Sequence, residues 1–131
     1  MMTLQSDTGF ILGLATDLFF APKIETAAGS LGFGVTWVAE YQPVPGFIDL
    51  LLQEKPALII LDLNSSLPWV EWLAAAKGTV ATRHIPWLAF GSHMNPRRLK
   101  AARHSGADKV VAKSEFSANL RDLIEGLTKP N

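Results

Sequence analysis

Apolar runs and segments of helical periodicity alternate five times along this chain. The apolar runs cover residues 10–15, 34–39, 57–62, 85–90 and 109–113. Several of them are apolar on both faces, which is typical of parallel strands that are covered by helices on each side. The pattern therefore predicts five buried parallel strands.

A helix is predicted after each strand. The fourth helix has the clearest ends, with Asn95 as N-cap, Pro96 in the first turn and Gly106 at its carboxyl end. The others have approximate bounds: 22–31 for the first, 45–54 for the second, a start after Ser65 or Ser66 with Pro68 in the first turn for the third, and a start near Ser114 for the fifth.

Five repeats of strand then helix, with short connections, predict an α/β fold with a doubly wound parallel sheet. The length of 131 residues fits one domain, which we expect to span residues 1–131 with a core over about 10–127. In folds of this class, ligand and contact sites lie at the carboxyl ends of the strands. We therefore expect the functional residues at that edge of the sheet.

Charge and composition remove several classes of function. Twelve basic and twelve acidic residues give a formal net charge of zero, so no overall field favours nucleic acid or an anionic membrane. The chain has no cysteine, which excludes disulfides and thiol catalysis and fits a reducing cytoplasm. The apolar stretch 9–21 is too short to span a bilayer and has Asp17 in its middle. We expect a cytoplasmic protein that binds neither nucleic acid nor membrane.

Asp62 ends the most apolar of the predicted strands, in the segment "ALIILDLNSS". A buried carboxylate without a partner is too costly to keep ionised. A compensating group is therefore expected close to Asp62.

Three segments at the predicted carboxyl edge together resemble a known family. The segments "ALIILDLNSS", "IPWLAFGS" and "SGADKVVAKSEF" are similar to the third, fourth and fifth strands of bacterial response-regulator receiver domains. The resemblance covers about 10–127 and implies a CheY-like, flavodoxin-like three-layer sandwich with strand order 2-1-3-4-5. It also implies that Asp62 matches the phosphoacceptor aspartate and Lys113 the lysine that contacts the acyl phosphate. We expect these two side chains to lie within ion-pair distance.

The chain departs from the receiver pattern where the family binds Mg²⁺. Receivers carry a pair of acids after the first strand, whereas this chain has Ala15 and Thr16 there, with Asp17 one place later. Mg²⁺ needs carboxylate anchors. We expect no metal at Asp62; the alternative is an atypical Mg²⁺ site that uses Asp17 and Asp62.

The positions of the family's conformational switch also differ. The switch hydroxyl matches Gly91, although Ser92 is adjacent, and the switch aromatic matches Val110. The coupled movement of these two side chains is therefore expected to be absent.

These departures predict a degenerate member, a pseudo-receiver. The leading hypothesis is a stand-alone, non-catalytic module for protein interaction in bacterial two-component signalling, with no cofactor. The alternative is a single-domain response regulator that is phosphorylated on Asp62 with Mg²⁺ bound near Asp17. An unrelated small flavodoxin-like enzyme or ligand binder is a third possibility, but no motif supports it.

The fourth predicted helix carries the one local concentration of charge, in "NPRRLKAARHSG". Receivers commonly meet partners through the fourth helix, fifth strand and fifth helix. This resemblance implies a constitutive face for an acidic protein partner or for self-association. The residues expected there are Arg97, Arg98, Lys100, Lys109 and Arg121.

Overall fold

Five parallel strands form one sheet in the computed structural model, which describes residues 9–129. Neighbouring strands are hydrogen-bonded in the order β2-β1-β3-β4-β5, which confirms the predicted topology. The strands are β1 (Phe10–Leu14), β2 (Gly34–Val38), β3 (Leu58–Asp62), β4 (Trp87–Gly91) and β5 (Lys109–Ala112).

Five α-helices alternate with the strands, as the sequence predicts. A short 3-10 helix at Leu18–Phe20, which the sequence pattern does not predict, precedes the first of them. The helices are α1 (Ala21–Ser30), α2 (Val44–Glu54), α3 (Trp69–Gly78), α4 (Pro96–Ser105) and α5 (Lys113–Thr128).

Two apolar cores lie on opposite faces of the sheet. Helices α1 and α5 pack on one face, where Ile24 and Ile124 meet Ile60 of β3. Helices α2, α3 and α4 pack on the other face, where Trp72 and Ala102 are buried with Leu61. All five residues of β3 and of β4 are buried. Continuous apolar strands are therefore explained by helices on both faces.

Local sequence signals set most element ends within one or two residues of their predicted positions. The side chain of Asn95 accepts a hydrogen bond from the backbone N–H of Arg98, and Gly106 ends α4 with a φ of 111°. Two of these differences move a residue into or out of a helix. Pro68 caps α3 from outside the helix, and Lys113 begins α5 instead of ending β5.

The amino edge of the sheet is held by a connected set of polar contacts. Lys77 Nζ and Asp108 Oδ2 form a 2.8 Å ion pair, and the same Nζ donates to the carbonyls of Arg83 and Ile85. Asp108 Oδ2 also accepts from the backbone N–H of Trp87, at 2.7 Å. The connection between α3 and β4 is thereby fixed to the start of β5.

Candidate functional site

Asp62 lies at the carboxyl end of β3 and is only 6% exposed. Its side chain is on the sheet face covered by α1 and α5, because residues 58 and 60 of the same strand point to that face. Phe90, its register partner on β4, stacks on Phe116 with ring centroids 3.9 Å apart. Phe20 packs edge-on against both rings. The carboxyl group of Asp62 is therefore placed beside an aromatic cluster.

The space in front of Asp62 is a small cavity of about 10 Å³. Apart from Asp62 and Asp17, its lining is apolar or aromatic and includes Ala15 and Trp37. Such a volume admits about one water molecule. The carboxyl group consequently has little solvent around it.

Burial raises the pKa of Asp62 above its ordinary value of 3.8. The backbone N–H of Asn64, 2.9 Å from Asp62 Oδ1, favours the ionised form and lowers this pKa, as does the charge of Lys113. The charge of Asp17 raises the pKa, and that of Arg98 lowers it. Desolvation is the largest of these effects, so the protonated form of Asp62 is favoured relative to an exposed aspartate.

Lys113 does not form the predicted ion pair with Asp62. Within residues 9–129, the ion pair present is Lys77–Asp108 at the opposite edge. Lys113 instead lines a second space, a cleft of about 90 Å³ on the α4 side of the carboxyl edge, and Asp62 is not part of that lining. The physical reason is the change from strand to helix: Lys113 is the first residue of α5, whereas Asp62 follows the alternation of β3 toward the other face.

The expected substitutions in the metal region have structural consequences. Ala15 contributes only apolar surface to the cavity, and the Thr16 hydroxyl accepts from the backbone N–H of Ser66 at 3.3 Å. Asp17 uses Oδ1 to accept from the N–H of Phe19 and so caps the 3-10 helix. The described part of the chain has no cluster of three or more His, Cys, Asp or Glu side chains suited to a metal. Since Mg²⁺ usually keeps several bound waters, this small, mostly apolar cavity with two carboxylates does not fit it.

The two switch positions are packed differently from each other. A Cβ atom at Gly91 would lie 3.1 Å from Leu63 Cδ1 and 3.2 Å from Leu63 Cβ, so Leu63 already fills the space that a side chain would need. Val110 is partly buried against the core under α2, α3 and α4. Ser92 lines the cleft and accepts from the backbone N–H of Met94 at 3.1 Å.

The five residues expected on one partner face are all exposed, but they differ in their hydrogen bonds. Arg97, Lys100 and Lys109 are exposed on α4 and β5. Arg98 and Arg121 are exposed as well, and each also donates a hydrogen bond to another element. Arg98 Nη1 donates to the carbonyl of Leu63 and to Asn64 Oδ1, whereas Arg121 Nε donates to Ser30 Oγ of α1.

Sequence reasoning missed two features of the site. One is the role of Arg98, which ties the first turn of α4 to the loop after β3 at distances of 3.2 and 3.0 Å. The other is the aromatic cluster of Phe20, Phe90 and Phe116. The alternation of β3 and β4 places Asp62 and Phe90 on one face and could have revealed their proximity; no sequence signal predicts the direction of the Arg98 side chain.

Comparisons with known structures agree on the architecture. The receiver domain of a DNA-binding response regulator from Colwellia psychrerythraea 34H shares 22% identity, with 93% of this chain and 99% of that chain covered and a TM-score of 0.74. The receiver domain of a signal-transduction histidine kinase from Syntrophus aciditrophicus shares 21% identity, with 92% and 89% covered and a TM-score of 0.74. The chemotaxis response regulator CheY4 of Vibrio cholerae shares 14%, with 92% and 98% covered and a TM-score of 0.72. This chain has the receiver-domain fold.

Sequence comparison adds no closer assignment for this receiver-like chain, since neither a family model nor a curated protein matches it. None of the helices in the described part of the chain is both long enough and apolar enough to cross a bilayer. The receiver fold places Asp62 and Lys113 at the carboxyl edge, where functional residues are expected. Their chemistry must be argued from the contacts described above.

Proposed function

We propose that this chain is a pseudo-receiver, a non-catalytic module that works by binding another protein in signal transduction. The observation that carries the proposal is the separation of Asp62 from Lys113. Asp62 borders a cavity lined mainly by apolar groups, and Lys113 lines a different cleft. Phosphoryl transfer to a carboxylate depends on positioned cations that stabilise the developing charge. In residues 9–129, neither Lys113 nor Arg98 forms an ion pair with Asp62, although both charges lower its pKa.

The metal region supports the same proposal. Ala15 and Thr16 supply no carboxylate, and Asp17 already caps a helix through Oδ1. A receiver without bound Mg²⁺ lacks the ion that neutralises the charge of phosphate and acceptor. We therefore propose that Mg²⁺ is not a cofactor of this chain and that Asp62 has a structural role.

The alternative is a receiver that accepts phosphate on Asp62 with Mg²⁺ near Asp17. One observation favours it: Asp17 and Asp62 line the same cavity, and the charge of Asp17 raises the pKa of Asp62. The two carboxyl groups are thus close enough to influence each other. Opening of this cavity would be needed before a hydrated cation could enter.

Incubation with Mg²⁺ and acetyl phosphate, followed by intact-mass measurement, separates the two functions. We expect no phosphorylated species, and ¹⁹F NMR with beryllofluoride should show no bound signal. An active chemotaxis receiver provides the positive control. Stoichiometric phosphorylation of the wild type, absent from Asp62→Asn, would replace the pseudo-receiver assignment with the alternative.

The proposed partner surface consists of Arg97, Lys100 and Lys109. We call these three exposed residues the basic face. Complementary charge speeds association and favours an acidic partner surface, and both effects weaken as salt rises. The basic face is constitutive in this proposal, because Gly91 and Val110 provide no switch.

Affinity capture from the native cytoplasm tests this face with matched charge changes. The Arg97→Glu/Lys100→Glu variant should lose bound protein, whereas Lys23→Glu/Lys129→Glu changes two other exposed lysines and should retain it. Equal capture by both variants would place the interface elsewhere on the molecule.

A further inference from the structure

Strand β2 forms one edge of the sheet, and within residues 9–129 it is hydrogen-bonded only to β1. The carbonyl of Val38 accepts from the backbone N–H of Ala15, so Val38 directs its backbone groups toward β1. Because this direction alternates along a strand, the N–H and C=O groups of Val35 and Trp37 point away from the sheet. A row of outward backbone groups is a template for pairing with another strand.

The β2 edge lacks the features that usually protect an edge strand, which are charged side chains, proline and bulges. Its five residues, GVTWV, include neither a charge nor a proline, and they pair with β1 in unbroken register. The opposite edge differs, since β5 has four residues and begins with the exposed Lys109. Of the two edges, β2 is therefore the less protected.

Uncharged residues also surround this edge. Residues 26–39, which run from α1 through β2, are the longest stretch of the chain without Asp, Glu, Lys, Arg or His. Only Ala28 among them is buried, so most of the stretch faces solvent at least in part. Two copies of such a surface meet without repulsion between like charges, whereas a charged partner would find no complementary group within it. The composition therefore favours a second copy of this chain at the edge.

The backbone of β2 is complementary to itself in one antiparallel register. A two-fold axis perpendicular to the sheet at Thr36, the middle residue of the strand, pairs all five residues with a second copy. Val35 then lies opposite Trp37 of the second copy, and the two residues can exchange both of their outward hydrogen bonds. The same exchange occurs twice, once on each side of the axis.

The side chains agree with this register. Val35 and Trp37 are partly buried on the sheet face covered by α1 and α5, and an aromatic side chain directly opposite a β-branched one stabilises antiparallel strands. The exposed Thr36 meets its own copy in a pair without hydrogen bonds, where opposing side chains are closest. Glu40, the first charged residue after the strand, would lie opposite Gly32, so no like charges face each other there.

We propose that two copies of this chain associate through β2 in antiparallel orientation, with Thr36 at the two-fold axis, to form one continuous sheet. The basic face lies toward the other edge of the sheet, so the dimer presents one basic face at each end. The dimer does not rest on the pseudo-receiver assignment, since it needs neither a partner protein nor a group bound at Asp62.

Sedimentation velocity over a range of protein concentrations tests the dimer. We expect a reversible monomer–dimer equilibrium. Thr36→Lys places two ammonium groups across the axis and should raise the dissociation constant by about tenfold or more. Ala74→Lys adds the same charge at an exposed position of α3 and should dimerise as the wild type does. A monomer at every concentration, or equal weakening by the two variants, would overturn the proposal.

A cross-linking experiment tests the register and does not require Thr36→Lys to fold normally. The chain has no cysteine, so Thr36→Cys introduces a single thiol. Opposite residues in a pair without hydrogen bonds have Cα atoms about 4.5 Å apart, which is within the range that a disulfide spans. Mild oxidation should therefore link Thr36→Cys into a covalent dimer, whereas Ala74→Cys should remain unlinked. Equal cross-linking of the two variants would place the interface away from β2.

Discussion

The two edges of the sheet use charge in opposite ways. At the amino edge, Lys77 and Asp108 meet at 2.8 Å and share backbone partners with the start of β4. At the carboxyl edge, Asp62 and Lys113 border separate spaces and form no ion pair. The first arrangement pairs its charges by direct contact, whereas the charges of the second act on one another without an ion pair in residues 9–129.

This difference indicates where stability and function are located. Substitution within a closed polar network is destabilising, because removal of one member leaves other buried groups without partners. Charges that interact without an ion pair, such as those of Lys113 and Asp62, lack the direct contact and shared hydrogen bonds of such a network. We therefore expect the loss of a charged side chain to reduce stability more at the amino edge than at the carboxyl edge.

The largest effect is expected from Asp108→Ala. This change leaves the backbone N–H of Trp87 without its acceptor and Lys77 without its ion partner, so the free energy of unfolding should fall by about 2 to 3 kcal/mol. Urea denaturation measures it. Asp108→Asn keeps an acceptor oxygen, so its free energy of unfolding should fall less than that of Asp108→Ala. An equal decrease in the two variants would show that the contact with the N–H of Trp87 contributes nothing.

A smaller decrease in the free energy of unfolding is expected from Gly91→Ser. The new Cβ would press against Leu63 at 3.1 Å, and overpacking of this kind costs about 1 kcal/mol or more. Gly29→Ser is the control, because a Cβ there meets nothing within 4 Å. In a double-mutant cycle measured by urea denaturation, Leu63→Ala should reduce the cost of Gly91→Ser; strictly additive effects would contradict the proposed contact.

The third effect has the opposite sign, since Asp62→Asn should stabilise the protein at neutral pH. Burial raises the pKa of Asp62 in the folded state, so the folded chain binds the proton more tightly than the unfolded chain. The unfavourable contribution of ionised Asp62 therefore develops as pH rises above the ordinary value of 3.8 and is absent well below it. Asparagine can still accept from Asn64, and we expect a gain of about 1 kcal/mol or less at neutral pH.

Thermal unfolding of Asp62→Asn and of the wild type across neutral and acidic pH tests this sign. The advantage of the variant should shrink as pH falls. Asp49→Asn removes the same charge from an exposed position on α2 and serves as control. A wild type that is more stable than Asp62→Asn at neutral pH would mean that the ionised carboxylate has a favourable partner.

The smallest effect on stability is expected from Arg97→Glu/Lys100→Glu on the basic face. Exposed helix positions usually change the free energy of unfolding by no more than about 0.5 kcal/mol, so the melting temperature should remain nearly unchanged. Arg98→Glu should cost more than either single reversal, because Arg98 binds the loop after β3. If calorimetry gave the same loss of stability for Arg98→Glu as for Arg97→Glu and Lys100→Glu, the Arg98 contacts would not hold α4.

The sheet could be predicted from sequence because its determinants are local or periodic. The continuous apolar run of β3 and the cap and stop signals of α4 each point to one structure. The direction of side chains at element ends was harder to predict. Asp62 and Lys113 follow different periodicities, one of a strand and one of a helix, and their proximity in the receiver pattern did not guarantee contact here.

The region after β1 shows a second limit. The alternative prediction uses Asp17 as a metal ligand, but its carboxylate caps a 3-10 helix that the apolar pattern conceals. Short polar side chains often bond to the nearby backbone, and this choice depends on local geometry that composition does not reveal. The receiver resemblance likewise places Arg98 on a partner face, and Arg98 is exposed, but its long side chain also reaches a loop more than thirty residues away in sequence.

Trp37 gives the carboxyl edge an optical probe of its own. Its ring occupies the space above Gly13, where a Cβ would lie 2.4 Å from the ring, and its Nε1 donates to Glu25 Oε2 at 2.9 Å. The same indole lines the cavity of Asp62, whereas Trp69, Trp72 and Trp87 belong to the core on the other face of the sheet. Replacement of those three by phenylalanine would leave a single emitter next to Asp62. The emission maximum and lifetime of its fluorescence would then report the ionisation of that carboxyl group without any added label.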